Sequence, residues 1–390
     1  MRKTVAYVLV TVAMLLGATT ARADNPTTEC KRLDEKQAEW ISGGFYEGSF
    51  EDGTPFQMNL FQPPPAAVEN EMPAEGLQSE YWYPRHRRRA KLHLEVSVSG
   101  EAGLLIRTMG IVQWPHITDD KESDSGKSTS ETFTATHSKD WAEIEGVWSS
   151  DTLHKEMHFH MTRAFSYRTS VYSFLTDDSI QLWDSRRSIN VRTYPIMDDS
   201  MHGPKRAALH TLLDKLNDSA AESYCDVQDS STLAAEWASA DFLFLTKLSN
   251  EYRLGAAHGI GDLYSISHYE LRDGQYEQVY LDSFYEPSLA CENQLFDQMV
   301  VGLVADQAAQ PENAYTVFPG RNLANSTSHG EHDIVLRDDI PQDYLVTPEG
   351  IEFYTDPYAL GSYMDNHRIF IEKRQIANCV KALPQYKPFL

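Results

Sequence analysis

Between Tyr252 and Phe284 the chain reads YRLGAAHGIGDLYSISHYELRDGQYEQVYLDSF, with an imidazole set among glycines. Gly255, Gly259 and Gly261 flank His258, with Asp262 four positions on. Glycines admit backbone conformations that other residues resist, and they leave N–H groups open to a ligand. An imidazole placed there can bind an anion, accept a proton or recognise a ligand. Equally, it can fold back onto loop carbonyls and fix the turn. No second catalytic group accompanies His258 in sequence, so a hydrolase using it as general base lacks a nucleophile or metal set. A second pair, His158 and His160, stands at i and i+2 on one face of an expected strand. Two such imidazoles could grip zinc only with a third ligand and supporting contacts, and an exposed strand face accounts for them without metal. The cluster Arg85-His86-Arg87-Arg88-Arg89 is basic in an acidic chain. It suits a phosphate or glycan acid, or an exposed turn paired with nearby acids. HExxH, GxSxG and Walker A patterns are absent, and no cofactor is expected.

The elements around His258 are strands. Phe242 to Leu254 is rich in aromatic and branched residues, and Leu263 to Leu271 continues in that style. Arg272-Asp273-Gly274-Gln275 is a hairpin turn, and Tyr276 to Leu281 returns as a third strand. An antiparallel meander follows. Helices are expected from Pro204, where Leu209, Leu212, Leu213 and Leu216 form a stripe, and from Pro287, where Leu295, Phe296, Met299, Val300, Leu303 and Val304 recur. A short helix is expected over Leu233 to Ala240. Closing strands are expected over Tyr344–Val346, Ile351–Tyr354 and Arg368–Lys373.

The first half alternates with period two. Tyr46, Gly48 and Phe50 oppose Glu47, Ser49 and Glu51; across Asp52-Gly53-Thr54, Phe56, Met58 and Leu60 oppose Gln57 and Asn59. This predicts a hairpin with one buried face. Further strands are expected over Gln78–Tyr83, Ala90–Val98, Leu104–Val112, Trp141–Trp148 and Lys155–Thr162. Asp119 to Ser130 is polar and reads as an insertion. Short strands punctuated by turns predict a small barrel or sandwich.

The run Tyr252-Arg-Leu-Gly-Ala-Ala-His258, then a strand and Asp282-Ser-Phe284, resembles the domain of unknown function carried by the RsiV anti-sigma factor. Tyr344-Leu-Val-Thr-Pro-Glu-Gly-Ile-Glu-Phe-Tyr354, followed by Asp356-Pro357-Tyr358 and Gly361-Ser-Tyr363, resembles a second segment of that domain in the same order. The likeness runs from about Arg186 to the C-terminus. It implies a domain outside the membrane that recognises lysozyme, with related domains preceding polysaccharide deacetylases of the cell envelope. Under that reading Asp356, Tyr358 and Tyr363 join the His258 loop as the contact surface. The chain shows neither the membrane helix of RsiV nor an attached deacetylase domain.

Arg2, Lys3, the apolar run Val5 to Leu16 and Ala21-Arg22-Ala23 read as a secretory signal cleaved before Asp24, too short in its apolar part to span a membrane. The first 23 residues hold three basic and no acidic residues, so the formal charge of −23 becomes −26 beyond the cut. Such an excess excludes nucleic acid as a partner and favours cations or basic proteins, although solubility alone also explains a diffuse acidic surface. Cys30, Cys225, Cys291 and Cys379 make an even count in an oxidising compartment. Cys291 with Cys379 is the favoured pairing, since both lie in one expected domain; Cys30 with Cys225 would then cross the junction.

These readings combine into two domains after a signal at 1–23: an all-β small barrel or sandwich over 24–185, and an RsiV-like α+β domain over 186–390 with helices packed on an antiparallel sheet. The expected function is recognition without catalysis, in the periplasm or outside the cell. Its partner would be a cationic protein such as lysozyme or a peptidoglycan component. An envelope hydrolase and a purely structural envelope protein are the alternatives.

Overall fold

The computed structural model describes residues 38–62, 79–83, 92–111, 131–175, 187–197, 204–219, 227–253, 260–309, 343–354 and 368–381, with single gaps at 101, 240, 287 and 348, and also 64, 65 and 68. Eight strands close into a barrel: β1 (Ala38–Phe50), β2 (Pro55–Phe61), β3 (Ser79–Trp82), β4 (Leu92–Ser99), β5 (Gly103–Ile111), β6 (Glu131–His137), β7 (Glu143–Ser150) and β8 (Lys155–Leu175). Each is antiparallel to the next, and β8 pairs back onto β1 from Phe159↔Phe50 to Val171↔Ala38. Closure removes the exposed edges of a single sheet.

Alternation along the strands fills the barrel with side chains. Phe50, Phe56, Tyr81, Phe133, Trp148 and Phe159 are all buried inside it. Phe133 meets Phe159 at 5.2 Å and Tyr81 at 5.2 Å, both edge-on. Edge-to-face aromatic pairs are favourable beyond their buried area. Gly48 is the small residue that this crowding needs: a Cβ there would lie 2.5 Å from the Phe56 ring.

The same sheet continues past the barrel through β9 (Arg187–Ile196), β10 (Val227–Ala238), β11 (Phe242–Arg253), β12 (Ile260–Arg272) and β13 (Gln275–Val279). The pivot is β8, 21 residues long. Its first part pairs with β7 up to Thr162, its last part with β9 from Ser166, and β1 runs beside both. β9 and β10 are parallel, and the crossover between them carries α1 (Pro204–Ser219). After β13 come the single turn α2 (Leu281–Phe284), then α3 (Leu289–Ala309), and a separate three-stranded sheet of β14 (Asp343–Thr347), β15 (Gly350–Tyr354) and β16 (Arg368–Glu372).

This architecture corrects the expected fold class. The second half is not an α+β domain with helices laid on its own antiparallel sheet; its strands β9–β13 extend the barrel sheet, and strands dominate throughout the described residues. Of the expected helix Leu233–Ala240, the residues Leu233 to Ala238 form the end of strand β10 instead. Leu-Ala-Ala-Glu-Trp-Ala favours a helix locally, but its tertiary contacts override that preference.

Those contacts are specific. β9 pairs with β10 over Asp229–Thr232, and beyond Thr232 side chains from the barrel's outer wall take over that edge. Asn59 Nδ2 donates to the Ala235 carbonyl at 2.8 Å, and the Ala235 N–H donates to the Tyr167 hydroxyl at 2.9 Å. That hydroxyl donates to Asn59 Oδ1 at 2.6 Å. Gln57 does the same at Ala238: its Nε2 donates to the carbonyl at 2.6 Å, and its Oε1 accepts from the N–H at 3.2 Å and from Trp82 Nε1 at 3.1 Å. β2 is therefore buried on both faces, not on one as its alternation predicts. Around this belt lies a second core. It joins outer-wall residues Phe45, Phe61, Phe165 and Tyr167 to Leu213 of α1, Phe244, Ile266, Leu295 and Phe353.

Candidate functional site

Most of the sequence-predicted site lies outside the described residues: Gly255, His258 and Gly259, as well as Asp356, Tyr358 and Tyr363. Gly261 and Asp262 fall within the first residues of β12, so the glycine loop ends sooner than its composition predicts. Cys291 and Cys379 are bonded, with Cα atoms 5.5 Å apart, and tie the first turn of α3 to the segment after β16. Cys30 and Cys225 lie outside the described residues. No helix among the described residues is long and apolar enough to cross a membrane.

Downstream of the glycine loop, on β12, stands a histidine that motif reading passes over. His268 pairs across the sheet with Phe244 of β11 and with Val279 of β13, and it is 1% exposed. Its ring stacks on Tyr344 of β14 at 4.5 Å and 12°, and meets Phe244 edge-on at 4.5 Å; Phe284 of α2 lies at 5.9 Å. Nε2 has no hydrogen-bond partner. Burial pushes this imidazole down to about 3, so it is neutral at any physiological pH. Burial also raises the Tyr344 phenol, helped by the Asp282, Tyr280 and Asp343 charges nearby. A second contact joins the same strands: the Ile266 N–H donates to Asp343 Oδ1 at 2.9 Å. In sequence, His268 sits in Ser-Ile-Ser-His-Tyr-Glu-Leu, where period-two alternation marks it as facing the same way as Ile266.

An acid meets the interior rings at one end of the barrel. Glu131 opens β6, and its Oε2 accepts from Trp148 Nε1 at 3.0 Å and from the Tyr81 hydroxyl. Burial raises this carboxyl, and the Trp148 N–H opposes the rise. Tyr83, at the same end, is pushed up to about 12 by burial and by Asp52. Both donors to Glu131 come from buried rings, so the group reads as a satisfied polar cap on a packed interior.

The outer wall formed by β7, β8 and β1 is different in kind. Glu143↔Thr162↔Glu47 and Glu145↔His160↔Ser49 lie side by side across the three strands, and Val147 lies opposite His158. Glu47, Glu51, Glu143, Glu145, Glu156, His158 and His160 are all exposed. The histidine pair thus does point outward as the alternation predicts. Among the described residues no group of three or more His, Cys, Asp or Glu side chains is placed to hold a metal.

No protein-family model matches the sequence, and no curated protein is significantly similar to it. Two solved structures of the DUF3298 family share part of its course. One, from Bacteroides fragilis, is 13% identical with a TM-score of 0.36, covering 58% of this chain and 97% of that one. The other, from Pseudomonas aeruginosa, is 10% identical with a TM-score of 0.36, covering 55% of this chain and 94% of that one. At such values the likeness transfers neither a function nor a residue. The finer RsiV-type reading rests on the motifs quoted above.

Proposed function

We propose that this is an exported recognition protein without catalysis of its own, which docks a cationic protein of the lysozyme type. The reading is carried by the exposed carboxylates Glu47, Glu143, Glu145 and Glu156 on three adjacent strands of the barrel wall, with Glu51 in the turn after β1. Together with the overall charge of −23 they would steer a basic partner toward that wall. The His258 loop and the Asp356–Tyr363 segment supply a further contact surface under the resemblance to the RsiV-type domain. The secretory signal expected at 1–23 supports an encounter outside the cytoplasm.

The test is a titration of the chain from residue 24 with purified lysozyme, and with cytochrome c as a basic control, at 20 and 300 mM salt. Binding of lysozyme at low salt, weakened at least tenfold at high salt and by Glu143→Gln with Glu145→Gln, supports the reading. No binding of lysozyme at 20 mM salt, or equal binding of both basic proteins, removes the lysozyme assignment. Turnover of muropeptides lost in His258→Ala would replace recognition with hydrolysis.

A further inference from the structure

We propose that the seam between β12 and β14 is an acid-operated latch, in which protonation of the caged His268 imidazole releases Tyr344 and frees the edge of the three-stranded sheet. Two joints hold the seam, and the first of them is titratable. One joint is the stack of His268 on Tyr344 at 4.5 Å, with the imidazole enclosed by Phe244 and Phe284. Nothing in that enclosure accepts a hydrogen bond from Nε2, so an added proton has no partner there. The other joint is the hydrogen bond that the Ile266 N–H donates to Asp343 Oδ1 at 2.9 Å, which an amide oxygen at that position can also accept.

The charged and titratable groups around the cage do not reverse this. Glu270 on β12 is already engaged by Arg272 through its Oε2. Asp282 on α2, Asp343 on β14 and the exposed Tyr280 act on the Tyr344 phenol. Lys381 is directed at α2, its Nζ donating to the Asp282 carbonyl at 2.5 Å. Burial alone sets the His268 proton affinity, well below that of a solvated imidazole. A folded affinity lower than the open one means that opening takes up a proton. The closed seam is thus fully favoured above about pH 6.5, and the preference is lost as the pH falls toward 3.

Opening is confined by what lies on the far side of the sheet. Cys291–Cys379 and Gln294 Nε2 on the Gln375 carbonyl at 2.7 Å hold the segment after β16 to α3, and the Glu286 N–H on the Cys379 carbonyl at 2.7 Å holds it to the residues before that helix. The sheet therefore parts from β12 while remaining tethered.

Hydrogen–deuterium exchange on the chain from residue 24, disulfide intact, tests this at pH 7.5 and 4.5 with intrinsic rates corrected. The expected result is loss of protection in 343–347 and 350–354 by about 100-fold, from two pH units below the free imidazole value. Strands β6 and β7 should change by less than about threefold. His268→Phe should abolish the loss, and Asp343→Asn, which keeps a carbonyl acceptor, should retain most of it. Wild-type protection that is constant with pH, or that falls in step with the barrel, overturns the latch without recourse to any variant. So does an acid response that survives in His268→Phe, or one that vanishes in Asp343→Asn while His268 is intact.

Discussion

Tyr167→Phe removes one oxygen from the belt that fastens β10 to the barrel, and the structure sets its cost. The hydroxyl accepts from the Ala235 N–H at 2.9 Å and donates to Asn59 Oδ1 at 2.6 Å, with Tyr167 and Asn59 both fully buried. Phenylalanine leaves the rings undisturbed but orphans one donor and one acceptor away from water. Each orphan costs about 1–3 kcal/mol, so the variant should lose about 2–6 kcal/mol. Tyr194→Phe is the matched control. Its hydroxyl meets Ser170 Oγ at 3.3 Å from a half-buried site, and its loss should cost under about 1 kcal/mol. Urea unfolding followed by tryptophan fluorescence and far-ultraviolet dichroism measures both. In a Tyr167→Phe background, Asn59→Ala should cost less than it does alone, because the two groups share one bond. A loss below about 1 kcal/mol for Tyr167→Phe would refute the argument that the belt joins the halves, since buried partners cannot be orphaned cheaply in a rigid core.

Other outcomes follow from single features. Gly43 stands at φ +139°, and a Cβ there would lie 1.9 Å from the Leu60 carbonyl oxygen; Gly43→Ala should destabilise the barrel by at least about 1–3 kcal/mol in the same urea assay. Replacing Cys291 and Cys379 by serine opens a link across 88 residues and should cost about 2–5 kcal/mol, seen as a lower Tm under non-reducing conditions. His268 makes unfolding take up a proton, so stability should fall by up to about 1.4 kcal/mol per pH unit below about 6.5. His268→Phe should flatten that limb in denaturant midpoints measured from pH 7 to 4.

The barrel was legible because its strands face water on one side. Ile144 and Trp148 are buried while Glu143 and Glu145 between and beside them are exposed, as the alternation predicts. What alternation does not reveal is a strand covered on both faces. Gln57 and Asn59 are polar and alternate with Phe56, Met58 and Leu60, so they read as solvent-facing. Their amides are instead the partners of Ala235 and Ala238, about 180 residues later in the chain. A side-chain amide satisfies a backbone edge as well as it satisfies water, and a polar letter does not tell the two apart. The same ambiguity turned Leu233–Ala240 into an expected helix, for nothing within that segment announces Asn59 or Tyr167.

His268 was hidden for the converse reason. Its surroundings, Phe244, Phe284 and Tyr344, are drawn from three distant segments and contain no metal ligand or nucleophile that a motif could register. Attention in sequence goes to the imidazole beside glycines, where chemistry has room. His268, enclosed by rings, is displaced from its ordinary proton affinity by burial. Where a titratable group is caged by rings and left without a partner, its chemistry acts on the packing around it, because the proton it would take up can be accommodated only by moving the cage.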